Sequence, residues 1–427
     1  MSATFAKGLN AFRTFLDAPA ATFFSSCVHC GLCAESCLFY TETQDPKYAP
    51  VHKLEPLRRL WQQEFTLLGR LGKLLGLLKP LRDQDLAAWS ALVFDSCTMC
   101  GRCSLVCPVG IDLVYLIRRM REGMAAAGHA PSSLVEATRR NVRLGSAMGV
   151  SIETLQAQIK HQEAACGLKI PLDREKADVL MLLSSMEIVQ FPEIIGAVAH
   201  IFHQAGVSWT FSSKAFEATN SGIQIGVPDI ARQIVLRTVE EAERLGVTTV
   251  IAPECGHGFR ALRWEGPDLI GRPYRFRVLH LLEMLDELQR DGRLPLGRGE
   301  KDPRPLTYHD PCQIARRGGV VKQPRRLLAR IATDFREMDD SGQWNWCCGG
   351  GGGVSAVERA EPLRAKAFGR KKEQIEALGV HTLVTACANC RTIIEEDLEA
   401  CDMEVEVVGL TEMVAQHLQE TTEDQIA

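Results

Sequence analysis

Thirteen of the sixteen cysteines in this 427-residue chain fall into three groups. Two groups are four-cysteine runs of identical spacing. They are Cys27-x2-Cys30-x2-Cys33-x3-Cys37 and Cys97-x2-Cys100-x2-Cys103-x3-Cys107, the second followed by Pro108. The third group lies far downstream: Cys312, the adjacent pair Cys347-Cys348 at the head of a glycine run, and Cys387-x2-Cys390. Any fold has to gather these thiols into sets. The spacing is too regular for a disulfide framework, and Met1 to Phe24 lacks a signal-peptide layout, so metal or redox chemistry in a reducing, cytoplasmic setting is expected.

The C-x2-C-x2-C-x3-C spacing lets one loop wrap a [4Fe–4S] cubane. Three thiolates come from a tight turn, and the fourth often ligates the other cluster. On that pattern Cys27, Cys30, Cys33 and Cys107 hold one cubane, and Cys97, Cys100, Cys103 and Cys37 hold the other. Leu38 stands where a proline usually follows the first run. Zinc is the competing reading, but it prefers two separated C-x2-C knuckles.

A net charge of −4 argues against a dedicated nucleic-acid binder. No apolar run reaches the ~18 residues of a membrane span, so no membrane span is expected. The length suggests two or three domains. Between the runs, residues 38–96 read as helical. Leu67, Leu68, Leu71, Leu74, Leu75 and Leu78 recur at helical spacing beside Arg70, Lys73 and Lys79, and Pro80 ends the stretch. This reads as a core-facing helix with a solvated cationic edge; the alternative is a docking face for a membrane or partner subunit. After Cys107 a further helix is expected to close near Gly123 to Gly128. Residues 131–175 read as a helical linker in which Cys166 is a small packed residue.

From residue 176 the chain repeats itself. Short β-branched runs alternate with amphipathic helices twice over, predicting two α/β units with mainly parallel sheets, 176–300 and 301–427. In this alignment Cys347 and Cys348 fall opposite Ser212 and Ser213. Cys387 falls opposite Cys255, Cys390 opposite Gly258, and Cys312 opposite Ser184 or Ser185. One half keeps five thiols and the other keeps one, so the chain is expected to carry one complete site and a degenerate twin. Soft thiolates select iron–sulfur clusters. Adjacent cysteines suit a cluster with separated irons. Gly349 and Gly350 lack a Cβ, so their backbone can approach such a cluster and donate hydrogen bonds that tune it. Cys401 reads as structural.

These motifs resemble two known families. Residues 20–130, through their cysteine runs, look like the α-helical ferredoxin domain of succinate dehydrogenase iron–sulfur subunits and heterodisulfide reductase C-type subunits. Residues 176–427 resemble the cysteine-rich CCG domain of heterodisulfide reductase catalytic subunits. The resemblance implies an α+β multidomain protein: a helical ferredoxin domain at 1–130, the linker, then two α/β CCG repeats, the first degenerate. It implies two cubane [4Fe–4S] clusters and a third iron–sulfur cluster, noncubane in the family's best-studied members, on Cys312, Cys347, Cys348, Cys387 and Cys390. His309, in the family's HDPC segment, would cap a turn or orient the third site.

The ECGH segment in the degenerate half is similar to DsrK-type members, which are associated with reduction of a disulfide or trisulfide on a sulfur-carrier protein. The implied activity is that of an oxidoreductase subunit passing electrons through the cubanes to the five-cysteine site, where a disulfide or trisulfide on a small thiol or carrier protein is reduced or formed. His257 would donate a proton to the leaving thiolate, or Cys255 would form a transient mixed disulfide. No flavin or nicotinamide motif stands out, so electrons would come from a membrane quinone or haem module or a flavoprotein, and the chain could sit peripherally on the membrane through that partner. The alternative is an electron relay for a flavin-dependent glycerol-3-phosphate or 2-hydroxyacid dehydrogenase. A non-catalytic redox sensor is a third reading, which two complete cubane runs disfavour.

Overall fold

The structure is a computed structural model that describes residues 3–78 and 81–418. Lys79, expected among the flanking cations, and Pro80, expected to end the leucine-rich stretch, lie outside the described residues. The chain divides into two compact units. One comprises Met1–Glu136, Gly222–Pro228 and Gly349–Arg370; the other comprises Ala137–Ser221, Asp229–Cys348 and Lys371–Ala427.

Among its described residues the first unit is helical and without strands. Its helix Ala3–Phe15 packs along Leu113–Ala126. Two glycines set how closely they approach: a Cβ on Gly123 would fall 2.2 Å from the Phe12 ring, and one on Gly8 would fall 2.4 Å from Ala127 Cβ. Gly123 therefore lies inside its helix as a packing residue, and the chain turns only at Gly128, with φ +78. Side-chain caps fix two of the starts. Asp112 accepts from the Val114 and Tyr115 N–H groups, and Asp17 accepts from Ala20.

The leucine-rich stretch departs from expectation. It forms the helix Leu67–Leu74 on the neighbouring helix Glu55–Phe65, but its leucines face outward: Leu67 is 85%, Leu68 83% and Leu74 82% exposed. The reason is local. Gly69 is turned inward, where a Cβ would fall 1.9 Å from the Gln62 carbonyl oxygen. Lys73 and Arg70, themselves exposed, reach along the flank to the Glu64 carboxylate and carbonyl respectively, each at 2.7 Å. The leucines are left on the far side. The core-facing reading is overturned.

The second unit holds two four-stranded parallel sheets. The first is built from β1 (Val179–Met181), β2 (Trp209–Thr210), β3 (Thr249–Ala252) and β4 (Arg277–His280), in the order β2-β1-β3-β4. The second is built from β5 (Asp302–His309), β6 (Ala332–Phe335), β7 (Thr382–Thr385) and β8 (Glu406–Gly409), in the order β6-β5-β7-β8. The connectivity is the same twice. β1, β3 and β7 are buried along their whole length, as parallel strands covered on both faces must be. Leu180, Val250 and Val278 of the first sheet pack with Val235, Val239 and Ala242 of the helix Pro228–Leu245.

Residues 131–175 hold two helices, Ser132–Leu144 and Ile152–Cys166. The second packs on Glu193–Gln204 with Leu155 and Ile159 buried, so it belongs to the second unit's core. Cys166 and Cys401 are half-exposed, not buried, and neither is disulfide-bonded.

Candidate metal centres

Both cysteine runs adopt one backbone conformation. The residue before the second cysteine and the glycine after it have positive φ: His29 (+54) and Gly31 (+86) in the first run, Met99 (+56) and Gly101 (+80) in the second. Positive φ is uncommon outside glycine, and a pair of such turns at identical positions is a built feature of a ligand loop. Each loop opens into a short helix, Leu32–Glu35 or Arg102–Leu105.

The loops line two cavities. Cys27, Cys30, Cys33 and Cys107 surround the first, with Val28, Leu32, Val51, Val109 and Ile111. Cys37, Cys97, Cys100 and Cys103 surround the second, with Phe39, Val114 and Ile117. Leu113 lines both, so they are neighbours. In each cavity the fourth thiol comes from the other run. A lining of four thiols and apolar side chains fits an iron–sulfur group, which takes soft thiolate ligands in a largely dehydrated site.

The surroundings differ. At the first cavity Cys30 is exposed and Val28, Leu32 and Val109 are 70%, 48% and 48% exposed. At the second, two buried cations approach. Lys53 Nζ lies 3.7 Å from Cys37 Sγ and donates to the Ser96 carbonyl. Arg121, fully buried, donates to the carbonyls of Cys97 (2.7 Å), Val93 (2.8 and 3.0 Å), Gln224 (2.7 Å) and Gly352 (2.5 Å), with its guanidinium 4.7 Å from the Phe94 ring centre. Burial lowers its pKa to about 10, which leaves it charged at neutral pH. Gly352 lies three residues beyond Gly349 on the glycine run; at φ +64, a Cβ there would fall 2.8 Å from the Thr98 carbonyl. The glycine run, part of the first unit from Gly349 on, thus forms part of the wall of the second cavity.

In the second unit the five remaining thiols converge and are all buried. Cys348 Sγ lies 3.3 Å from Cys390 Sγ, and Cys312 Sγ lies 3.8 Å from Cys347 Sγ. Cys387 N-caps the helix Ala388–Glu399. The Cys390 thiol, then the backbone N–H groups of Cys390, Gly256 and Asn389, hold its thiol below the usual range. His309 is fully buried at the end of β5. Its ring and the sulfurs of Cys348 and Cys390 place ligand atoms within 4.8 Å of one another, and neither ring nitrogen has a hydrogen-bond partner among the described residues. A buried imidazole left this way is completed by a group at the site. His309 caps no turn; Asp310 holds the loop instead, paired to Arg325 at 2.8 Å and accepting from Gly342 N–H at 2.7 Å. Lys371, buried, lies near enough to feel the thiols of Cys348, Cys347 and Cys390; burial lowers its pKa to about 8. Gly349, with φ +94, follows Cys348 directly; Gly350 is buried.

Cys255 lies beside this set, and His257 follows two residues on in the same short helix. Cys255 N-caps the helix Gly256–Arg260, as Cys387 caps its own, so those two positions correspond. Ala388 N–H donates to the Glu254 carbonyl at 2.9 Å, and a Cβ on Gly256 would fall 2.6 Å from Gln313 Cβ. Burial, then the neighbouring Cys387 thiol, push the Cys255 thiol up to about 12, which disfavours a free thiolate there.

The family of the 4Fe-4S dicluster domain matches residues 24–111, which hold all eight cysteines of the two runs. The family of the cysteine-rich (CCG) domain matches residues 306–395, which hold all five thiols of the third set. The chain is 27% identical to a subunit of the dihydromethanophenazine:CoB–CoM heterodisulfide reductase of Methanosarcina barkeri, over 92% of this chain and 93% of that one. It is 27% identical to the Hdr-like menaquinol oxidoreductase iron–sulfur subunit of Archaeoglobus profundus, over 96% of this chain and 82% of that one. This chain is a heterodisulfide reductase-like iron–sulfur protein. It is an oxidoreductase subunit of that type. A more distant similarity, 24% identity over 89% of this chain and 56% of the other, is to the EtfAB:quinone oxidoreductase of Syntrophomonas wolfei.

In this reductase-like chain Ser212 and Ser213 are not the counterparts of Cys347 and Cys348, contrary to the expected alignment of the repeats. Strand register pairs Val179 with Thr249 and Leu306 with Thr382, which sets Ser185 against Cys312. Glu217 bonds Ser185 as Cys347 meets Cys312, and Ala218 touches Gly258 as Cys348 meets Cys390. The degenerate site is therefore Ser185, Glu217, Ala218, Cys255 and Gly258. A buried carboxyl, its pKa raised by burial, replaces one thiol, and Ser212 instead donates to Glu241 at 2.7 Å. Sequence reading also missed Lys53, Arg121 and Lys371, single cations that no motif marks.

Proposed function

We propose that this chain exchanges electrons with a partner at the first cavity, relays them through the second, and uses them at the five-thiol site to reduce, or in reverse to form, a disulfide or trisulfide carried by a thiol or a sulfur-carrier protein. Cubane clusters on Cys27, Cys30, Cys33 and Cys107 and on Cys37, Cys97, Cys100 and Cys103, with a third, noncubane cluster on Cys312, Cys347, Cys348, Cys387 and Cys390, would supply one-electron storage. The observation that carries this reading is the buried five-thiol set with His309 turned into it and Cys255 lying alongside.

The division of labour follows from exposure and connection. The first cavity meets solvent through Cys30 and an apolar rim, which suits a docking electron partner. The second lies beside the first, its four cysteines half-buried and Gly352 on its wall. By analogy with relatives whose names include menaquinol and dihydromethanophenazine, the partner is a membrane quinol or haem module, or else a flavoprotein. Reduction of a disulfide to two thiols consumes two electrons and two protons. His257, two residues beyond Cys255, supplies one proton to the leaving thiolate, and the second thiolate takes its proton from solvent on release. His309 and the Gly349 and Gly350 backbone orient the cluster site.

Anaerobic electron paramagnetic resonance on iron-replete protein tests this. A signal that appears on mild oxidation, broadens with iron-57 and changes when a thiol is added is the expected result. Only signals of reduced cubanes, indifferent to thiols, would instead support a relay for a flavin-dependent dehydrogenase, the reading that the similarity to EtfAB:quinone oxidoreductase favours.

A further inference from the structure

No described residue covers the outward face of residues 65–78. Phe65, Leu67, Leu68, Leu71, Leu74, Leu75, Leu77 and Leu78 are 38–85% exposed, eight large apolar side chains within fourteen residues. Soluble chains rarely leave so contiguous an apolar face in water. The helix is inverted: Gly69 faces the protein, Arg70 and Lys73 lie exposed on its flank and its leucines face out, so burial against this chain is not what selects them.

Charge and composition together point to one occupant. From Phe65 to Arg82 the sequence holds Arg70, Lys73, Lys79 and Arg82 and no Asp or Glu, although the whole chain is net −4. The nearest carboxylate on the adjoining helix, Glu64, is already shared by Lys73 (2.7 Å) and Arg13 (3.2 Å). Arg82 is paired to Asp85. The described stretch thus presents leucine methyls beside the exposed Arg70 and Lys73, with no carboxylate of its own. Protein–protein interfaces favour Tyr, Trp and directional hydrogen bonds. Here the one polar uncharged residue between 65 and 78 is Thr66, and its hydroxyl is used to cap the helix through Gly69 N–H. An apolar face flanked by Lys and Arg is the composition of a helix lying in a bilayer interface bearing anionic headgroups.

We propose that residues 65–78 seat this protein directly on an anionic lipid surface, with the leucines among the acyl chains and Arg70 and Lys73 at the headgroups. No described helix is long and apolar enough to cross a membrane, so the attachment is shallow. The anchor belongs to the unit that carries the first cavity: on the supporting helix Trp61 packs its ring 5.9 Å from that of Phe24, three residues before Cys27. The inference does not depend on the proposed disulfide chemistry.

The test is flotation of the purified, cluster-loaded full chain with vesicles of phosphatidylcholine alone and of phosphatidylcholine mixed with phosphatidylglycerol, at low and high salt. The native chain should bind the anionic vesicles at least about tenfold more tightly than neutral ones and weaken as salt rises. The variant Leu71→Glu/Leu74→Glu changes two exposed side chains, so iron content and unfolding midpoint should hold while vesicle binding falls by at least about tenfold. No flotation of the native chain, or equal flotation of the variant, would overturn the proposal. So would self-association in sedimentation that the same substitutions abolish without any vesicle binding, which would assign the face to a second copy. Recovery of an integral membrane protein with the native chain only, again without vesicle binding, would assign it to that protein.

Discussion

Arg121 should set the potential of one cluster and not the other. Its guanidinium has no carboxylate partner in contact among the described residues. Its bonds go to backbone carbonyls, one of them that of Cys97, while Asp95 nearby is bound by Arg359 at 2.7 Å. An uncompensated buried cation stabilises the more negative, reduced state of a neighbouring cluster. At roughly 8 Å and an effective dielectric of about 20, one unit charge is worth about 2 kcal/mol, or about 90 mV for a one-electron couple. Lys53 adds a charge of the same sign, and the first cavity has no Lys or Arg in its lining. The second site should therefore lie at the higher potential, which makes transfer from the exposed site inward favourable.

The perturbation is Arg121→Gln, with Arg121→Lys as the variant that keeps the charge. Spectroscopic redox titration should show one cubane midpoint lowered by roughly 50–100 mV in the Gln variant and nearly native in the Lys variant, with the other cubane unmoved. Both variants lose hydrogen bonds to Val93, Gln224 and Gly352, so unfolding should become easier by about 3–5 kcal/mol in the Gln variant. Should that variant not fold, Lys53→Met asks the same question of the same cluster. Unchanged midpoints with full iron content would refute the electrostatic reasoning. Equal shifts in the Gln and Lys variants would mean that the hydrogen bond to Cys97, and not the charge, sets the potential.

Four further outcomes are expected. Gly352→Ala forces a Cβ to 2.8 Å from the Thr98 carbonyl at φ +64, and should cost roughly 3 kcal/mol in chemical unfolding. Gly206→Ala has φ +60 with nothing within 4 Å, and should cost only the torsional ~1 kcal/mol. Glu187 is buried, and burial raises its carboxyl from 4.5 to about 7. The folded state then holds a proton that the unfolded chain has released, so this residue's contribution falls as pH rises from 4.5 to about 7, by about 3 kcal/mol at most, and is constant above. Glu187→Gln should gain on the native chain between pH 5 and 8 in urea unfolding, and a gap that does not widen with pH would contradict the assignment. His257→Ala should slow turnover of a disulfide substrate while leaving iron content native; unchanged turnover removes it as proton donor.

Much of this fold was legible because the thiols carry it. The two runs needed only local backbone geometry, and His29/Gly31 and Met99/Gly101 repeat that geometry at the expected positions. The doubled α/β pattern was legible for the same reason: β-branched runs and amphipathic helices recur in order, and the two sheets share one strand order. The leucine-rich helix was read wrongly because periodicity shows that a helix has an apolar face but not which way that face turns. Gly69 and Glu64 decide that, through contacts no period reveals. Arg121 and Lys53 were invisible because a buried cation leaves no pattern in sequence.

The misplaced pair in the degenerate repeat is the most instructive case. Matching Trp209-Thr210-Phe211 to Trp344-Asn345-Trp346 by their aromatic residues puts Ser212 and Ser213 opposite Cys347 and Cys348. Yet six residues separate β2 from Glu217, and eleven separate β6 from Cys347. What the repeats share is where the chain passes over the strand ends to meet Ser185 and Gly258, or Cys312 and Cys390. The five additional residues lie before that point. The first repeat kept the crossing and filled it with the Glu217 carboxyl bonded to Ser185 and Ser146. After each crossing the chain goes on to the same guanidinium: Arg121 bonds the Gln224 carbonyl of one repeat and the Gly352 carbonyl of the other. The half with a single thiol at this site thus still supplies a loop to Arg121, and that contact is a use for it that needs no metal.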